Sequence, residues 1–285
     1  MSIVLLLNVK FPAIVFSGIP IICLLAFLAF ARKWKLFRQV FIVSGITSLA
    51  SLLLVGFNPY VRNTVHRHHP FFPVAGEGKI DIMLINRPRF FDDKTTAQRF
   101  LISLFSKTTD IVGYNKPEYK IPFTFTREEL KFNYQSRIAG FGFWFSGIFC
   151  LATLLMLYLF YYYIRLGKKT ELFLLSSFLI GFILSILVFP EPWWARFVPH
   201  VWFFPVGIVV FAQTTGSKVI RRFSYVIMFF MLGNSAHTYI RSLLLNHEAT
   251  KEINTQMSEL KRTPEGILID CGFFGSNKIR LSEHD

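Results

Sequence analysis

The sequence predicts an all-α integral membrane protein of about six transmembrane helices, with a small α/β extracytoplasmic cap. Apolar residues make up 53% of the 285 residues and charged residues only 17%, with a mean hydropathy of +0.45. Soluble domains carry about 25% charged residues. The same composition excludes a disordered chain, a collagen-like chain and a small disulfide scaffold. The net charge of +14 would indicate nucleic acid on a soluble domain, but on a membrane protein it first indicates topology.

Six stretches approach the roughly 20 apolar residues that a bilayer-spanning helix needs. They are residues 11–31, 40–57, 138–164, 172–189, 201–213 and 223–240. The fifth is short and contains Pro205, which favours a bent or partly re-entrant segment. The sixth is interrupted by the polar residues Asn234 and Ser235. The chain is thereby divided into two spans in 1–57, a long loop in 58–137, four spans in 138–240 and a tail in 241–285.

Basic residues predict which side of the membrane each connection faces. They cluster after the first, third and fifth spans, at Arg32, Lys33, Lys35 and Arg38, at Arg165, Lys168 and Lys169, and at Lys218, Arg221 and Arg222. The positive-inside rule places these connections in the cytoplasm. The long loop, the connection 190–200 and the tail are then expected outside, as is the N-terminus. An N-terminus outside, in a chain without a signal-peptide pattern, favours either simple insertion of a short N-terminus or descent from a longer protein with further upstream sequence.

The outer segments show signs of local structure. Residues 79–84 alternate and follow two glycines, which predicts a short strand. Residues 95–105 have one apolar face after Asp92 and Asp93, which predicts an amphipathic helix with these aspartates at its N-terminus. In the tail we expect a polar helix at 248–260 and strands at 266–271 and 278–281. No intramolecular disulfide is expected, because only one of the three cysteines, Cys271, lies outside the predicted spans.

The densest candidate site follows the second span. It offers the basic side chains Arg62, His66, Arg67, His68 and His69. Guanidinium groups bind phosphate bidentately and imidazoles donate hydrogen bonds, so a lipid phosphate or a polyprenyl phosphate is a natural ligand. The alternative is an interfacial anchor that contacts bulk anionic lipid. No metal or other cofactor is expected, because no carboxylate accompanies the three histidines.

A second candidate site lies in the connection 190–200, with Glu191, Trp193, Trp194, Arg196 and His200. A carboxylate and cations near apolar depth are costly unless they pair or take part in function. The tryptophans are suited to stacking on sugar faces or to lying at the membrane interface. We therefore weigh a substrate cavity against a structural Glu191–Arg196 pair. Asp81 is a further carboxylate that is able to act as a base. Nucleotide-binding motifs are lacking, and nucleic acid is not an expected partner.

Two motifs carry a resemblance to a known family. The first is Asn58-Pro-Tyr together with His69-Pro-Phe-Phe-Pro73, and the second is Pro190-Glu-Pro-Trp-Trp-Ala-Arg-Phe-Val-Pro199. In this combination the chain resembles bacterial polytopic glycosyltransferases of the GT-C type. The resemblance implies a multi-pass protein of the bacterial inner membrane that uses a polyprenyl-phosphate-linked sugar at the outer face. It also implies phosphate binding by Arg62, Arg67, Arg196 and His200, a sugar site at Trp193 and Trp194, and Glu191 or Asp81 as the base.

The sequence departs from that family at its N-terminal side. No Asp or Glu precedes Glu77, whereas the family places a catalytic carboxylate in its first outer loop. The resemblance is therefore to a C-terminal half, with a partner membrane subunit expected to supply the missing spans. Two alternatives are an enzyme similar to O-antigen polymerases or ligases, in which Arg and His dominate the site, and a noncatalytic membrane subunit.

Overall fold

The computed structural model describes residues 12–72, 75–80, 82–109, 116–132 and 136–262, and most of these residues are helical. The helices of the first part are α1 Pro12–Phe30, α2 Trp34–Ala50, α3 Asn63–Arg67, α4 Ile82–Ile85 and α5 Thr96–Leu104. They are followed by α6 Phe145–Arg165, α7 Lys169–Val188, α8 Phe203–Gln213 and α9 Lys218–Arg262. Two π-helical segments, Ser51–Val55 and Phe57–Arg62, join α2 to α3.

Three helical stretches are long and apolar enough to cross a membrane. They are Trp34–Val55, Phe145–Arg165 and Lys169–Val188. Two further apolar helices, Gly18–Phe30 and Pro199–Gln213, are shorter. Exposed apolar side chains are frequent on the long helices; Leu54, for example, is 77% exposed. The described residues thus support an apolar helical protein with three candidate spans, while the expectation of six spans stays a prediction.

The short connections between the long helices lie at one end of the helices. A three-residue turn joins α1 to α2 and another joins α6 to α7. Phe30 at the end of α1 stacks on Phe173 near the start of α7, with ring centroids 4.2 Å apart. The Tyr163 hydroxyl near the end of α6 donates a 3.2 Å hydrogen bond to the Phe211 carbonyl near the end of α8. All three basic turns therefore share that end, and α2, α6, α7 and α8 meet the described parts of the remaining loops at the other.

The core of the helical bundle lies between α6, α7 and α8. Its buried members include Ile148, Leu159, Leu175 and Ile208, all fully buried. Gly207 allows close contact here, because a Cβ at this position would lie only 2.3 Å from the Phe178 ring. Close van der Waals packing of this kind holds helices together where lipid and protein are equally apolar, so this cluster positions the ends of the helices.

The predicted strand at 79–84 is wrong. Gly76 and Gly78 have φ values of +102° and +69°, which form a turn, and Ile82–Ile85 forms a single helical turn instead. A strand requires a neighbouring strand for its backbone hydrogen bonds. In the described part of the chain there are only two isolated bridges, Ser106 with Tyr119 and Thr109 with Ile138. The predicted α/β cap has therefore no strand among these residues, and the strands expected at 266–271 and 278–281 lie outside them.

The amphipathic helix expected at 95–105 is α5, Thr96–Leu104. Its N-cap is Thr95, which forms a capping box with Gln98. The aspartates that we placed at this terminus have other partners: Asp92 binds Arg87 and Asp93 binds Lys94. A threonine with Gln three residues later satisfies two helical N–H groups directly, which makes it the better cap.

The long helix α9 crosses the boundary between two compact units, residues 1–235 and 236–285. In the first unit, Asn234 of α9 is fully buried. Its amide donates to the Phe141 carbonyl at 2.9 Å and accepts from the Trp144 N–H at 3.0 Å. Gly142 lies between these two residues with φ +102° and has no room for a Cβ beside Asn234. The polar residue that interrupts the predicted sixth span thus holds the turn that starts α6.

We expect Asn234→Ala to destabilise the protein by about 1–3 kcal/mol, because it leaves a buried N–H and a carbonyl without their partner. The measurement is thermal unfolding of the detergent-purified chain. Ser235→Ala, a change at the adjacent exposed position, is the matched control. Equal unfolding midpoints in the two variants would contradict this role of Asn234.

Candidate functional site

Glu191 lies at the centre of a buried polar cluster. It follows the end of α7 and is only 4% exposed. Its Oε1 accepts hydrogen bonds from Arg87 Nη1 at 2.8 Å and Arg99 Nη1 at 3.0 Å. Its Oε2 accepts a hydrogen bond from the indole N–H of Trp193. Both carboxylate oxygens are therefore occupied by charged or polar donors, which is how a buried carboxylate is stabilised.

The two arginines come from the segment that precedes and includes α5. Arg87 also binds Asp92, through Nε at 3.0 Å and Nη2 at 2.9 Å. Arg99 lies on α5, and its Nε donates to the Phe91 carbonyl at 3.0 Å. Two guanidinium groups thus face two carboxylates, so the local charge is balanced. The cluster connects residues 87–92, α5 and the segment after α7.

Trp193 and Trp194 lie inside this part of the protein. Trp193 is fully buried and stacks on Trp194 with ring centroids 5.3 Å apart. It also packs on Phe91. The Ser103 hydroxyl donates to the Trp193 carbonyl at 2.6 Å and accepts from the Ala139 N–H at 3.0 Å. In this conformation the two indoles are packing groups that bury large apolar area, and a sugar reaches neither face without rearrangement.

The remaining predicted residues of this connection are separated. The Arg196 side chain is exposed, with its guanidinium carbon 5.8 Å from the centre of the Phe197 ring. His200 is buried and lines a cavity of about 290 Å³. Asp81 lies outside the described residues. The salt bridges of Glu191 are formed with Arg87 and Arg99, two residues that the sequence interpretation had not singled out.

The cavity beside His200 is almost entirely apolar. It lies between α1, α7 and α8, and its lining includes Cys23, Phe27, Phe178, Phe182 and Phe203. Gly181 permits close packing at its wall, since a Cβ there would lie 3.0 Å from the Cys23 sulfur. A space of this size with few polar groups is suited to a hydrocarbon chain.

A second buried ion pair lies in the loop between α5 and α6. Lys120 Nζ is 2.7 Å from Glu129 Oε1, and both side chains are at most 3% exposed. Glu129 also accepts hydrogen bonds from the backbone N–H groups of Thr108 and Thr126, at 3.0 and 2.9 Å. Lys120 donates further to the Phe143 carbonyl at 3.0 Å. This pair connects the two halves of the loop to the turn before α6.

The pair perturbs the pKa values of both groups. Burial by itself raises the pKa of Glu129, but the hydrogen bonds from Lys120, Thr108 and Thr126 outweigh burial and hold this pKa below its ordinary value of 4.5. Burial lowers the pKa of Lys120 below 10.5, against the opposing effect of Glu129. At neutral pH the Glu129 carboxylate is therefore charged and fully bonded, which suits a structural role.

The basic residues after α2 lie on an exposed surface. Arg62, Asn63, His66 and Arg67 line a depression of about 380 Å³. Arg62, His66 and Arg67 are all exposed. The preceding π-helical segment, which contains Pro59, widens the helix just before this surface. Such departures from α geometry are frequent at functional sites. We call these four residues the basic depression.

His68 and His69 do not line the basic depression; they form part of the turn that follows α3. His68 ends α3 in the left-handed conformation, with φ 54°, and is exposed. His69 is half-buried, and its Nδ1 accepts a 3.1 Å hydrogen bond from the Phe71 N–H. Arg67 lies over the Phe72 ring, 4.9 Å from its centre. Within the described residues, no group of three or more His, Cys, Asp or Glu side chains forms a metal site.

Comparison of the chain with protein-family models, with curated proteins and with solved structures finds no match.

We expect Glu191→Ala to destabilise the protein by about 3–5 kcal/mol, because it leaves the mostly buried guanidinium group of Arg99 without a carboxylate and that of Arg87 with only the exposed Asp92. Thermal unfolding of the purified chain measures the change. Asp93→Ala removes an exposed carboxylate from the same region and is the control, with little expected effect. An unfolding midpoint for Glu191→Ala equal to that of Asp93→Ala would refute the structural role.

We expect the unfolding free energy of Glu129→Gln to fall less than that of the wild type as the pH is lowered into the acid range. Because the folded-state pKa of Glu129 lies below 4.5, its contribution is present above about pH 4.5 and is lost as the pH falls through the folded value. The shift of Lys120 acts only in the alkaline range. The difference in unfolding free energy between wild type and Glu129→Gln should shrink from about pH 6 to about pH 3. Glu118→Gln, at an exposed salt bridge to Lys107, should behave as wild type; a constant difference for Glu129→Gln would contradict the pKa shift.

Proposed function

We propose that this chain is a multi-pass inner-membrane protein of bacterial cell-envelope glycan or glycolipid assembly, and that it binds the phosphate of a lipid-linked sugar at the basic depression. The observation that carries the proposal is that Arg62, His66 and Arg67 lie side by side on one exposed helical surface. Guanidinium groups with accessible donors match the geometry of phosphate oxygens.

The position of the basic depression supports a membrane-bound ligand. It follows directly on α2 and its π-helical continuation, where Leu53, Leu54 and Val55 are all about half exposed or more. Exposed apolar residues next to exposed cations are the arrangement expected where a helix leaves the hydrocarbon for the headgroup layer. The three basic turns lie at the opposite end of the helices, which by the positive-inside rule is the cytoplasmic end.

The apolar cavity is a further support for an amphiphilic ligand. It is bounded by α1, α7 and α8 and ends at His200. The start of α8 and the end of α2 lie at the same end of the bundle, away from the basic turns. The cavity reaches from this end toward the basic turns, and an apolar space beside an anion site supports a ligand with an anionic head and an apolar tail.

The second candidate is a noncatalytic membrane subunit of the same pathway. It is favoured by the state of Glu191, whose two oxygens are bonded to Arg87, Arg99 and Trp193. A general base needs an oxygen within reach of the substrate proton. In this role the chain would bind or present the lipid-linked sugar while a partner subunit supplies the catalytic acid.

We expect the double variant Arg62→Ala/Arg67→Ala to weaken binding of a polyprenyl phosphate at least about tenfold. A hydrogen bond to a charged group contributes about 1.5–3 kcal/mol, and 1.4 kcal/mol corresponds to a factor of ten. Binding is measured with the purified chain in nanodiscs of zwitterionic lipid. Lys33→Ala/Lys35→Ala removes the same charge at the opposite end and is the control. The uncharged polyprenol reports the contribution of the tail.

Unchanged affinity in Arg62→Ala/Arg67→Ala would overturn the phosphate site. In a deletion strain, the same variant should fail to restore the glycan while still inserting into the membrane. Glu191→Gln, purified and shown to be folded, then separates the two candidates. Loss of glycan with retained phosphate binding would favour a catalytic Glu191, and a normal glycan would favour the noncatalytic subunit.

A further inference from the structure

The second compact unit presents a regular row of side chains along α9. Between residues 243 and 260 the row advances by alternating steps of three and four residues: Leu243, Asn246, Thr250, Ile253, Met257 and Leu260. This is the heptad spacing of a two-stranded coiled coil. Its first positions are Leu243, Thr250 and Met257, and its fourth positions are Asn246, Ile253 and Leu260.

The row is open to solvent. Leu243, Ile253 and Leu260 are 50%, 38% and 36% exposed. The surrounding helix is too polar to be covered by lipid, since residues 241–262 contain seven charged side chains. A membrane span tolerates few such charges. Apolar residues aligned along a polar helix form a face of the kind that a protein partner covers.

The charged side chains of this helix lie away from the row of residues just described, which we call the seam. Most of them also lie away from the positions on either side of the seam. Glu248, Lys251, Glu252 and Glu259 all occupy the outer heptad positions. The flanking positions hold uncharged or weakly basic side chains: His247, Ala249, Asn254 and Gln256. When two identical helices lie parallel, flanking residues five apart face each other. Ala249 then faces Asn254, so no like charges meet there and a second copy is an acceptable partner.

We propose that α9 pairs with α9 of a second copy of this chain in a parallel two-stranded coiled coil along residues 243–260. In this arrangement the Asn246 side chains of the two copies meet in one layer, and the Thr250 side chains meet in the next. Polar layers in such a seam cost stability, and they favour the register in which like polar side chains meet. The parallel orientation rests on the proposed membrane insertion, since copies in one bilayer insert in the same direction.

The paired segment is short, about 27 Å at 1.5 Å per residue. Such a coiled coil is weak between free peptides. Confinement of two copies to one membrane raises their effective concentration, which compensates for the short seam. The seam therefore pairs two copies that are already held close together in the same membrane.

Disulfide trapping in the full-length chain tests this pairing. In a background where Cys23, Cys150 and Cys271 are changed to serine, Ile253→Cys is compared with Thr255→Cys. Ile253 lies in the seam, whereas Thr255 lies two residues away at the outermost heptad position. Mild oxidation in membranes should yield a disulfide-linked dimer for Ile253→Cys and at least about tenfold less for Thr255→Cys.

A second measurement uses two differently tagged copies expressed together in the cysteine-free background. We expect them to co-purify, and Ile253→Asp/Met257→Asp to abolish this, while Thr255→Asp/Ser258→Asp on the outer face does not. Equal cross-linking at residues 253 and 255, or no dimer at either, would overturn the proposal. A monomeric chain would also overturn it if a thiol reagent modified Ile253→Cys only after residues 263–285 had been removed. That result would show that the chain covers its own seam.

Discussion

The buried carboxylate of Glu191, between two guanidinium groups and an indole N–H, is the interaction on which the loop end of the protein depends. An ionised carboxylate at 4% exposure is stable only with such donors around it. Arg87 and Arg99 reach it across about a hundred residues of sequence, so the contact can form only when α5 lies against the segment after α7. Trp193, Phe91 and Ser103 then pack around this contact.

The charged side chains at this end of the protein fall into two sets: buried ones that stabilise the loops, and exposed ones that are accessible to a ligand. Glu191 and Glu129 form salt bridges with basic partners, and these salt bridges hold the loops in place. Arg62, His66 and Arg67 lie on the surface of a depression at the same end of the helices. The chemistry that we propose for the chain therefore rests on cations rather than on carboxylates. The basic depression and the apolar cavity beside His200 are the two features that support the proposed ligand, an anion with an apolar tail.

Local patterns in the sequence predicted the helices, because apolar length and amphipathic period act within a few neighbouring residues. The helix at Thr96–Leu104 and the apolar helices at Phe145–Arg165 and Lys169–Val188 are examples. The strand at 79–84 was wrong because alternation over six residues does not supply a partner strand. The partners of Glu191 could not be found from spacing, since Arg87 and Arg99 are ordinary surface residues by their local sequence. The ion pair of Lys120 and Glu129 could not be predicted from the sequence either, because the two side chains are buried only once the loop has folded.

Hydrogen–deuterium exchange of Glu191→Gln tests the central claim most directly, namely that this carboxylate holds the loop end of the protein to the helices. The account predicts faster exchange of the amides in Thr96–Leu104 and in residues 87–92, with unchanged protection in Phe145–Arg165. Exchange reports local opening, so the effect should be confined to the segments that Glu191 connects. Unchanged exchange in Thr96–Leu104, or an equal loss of protection throughout the long helices, would contradict it.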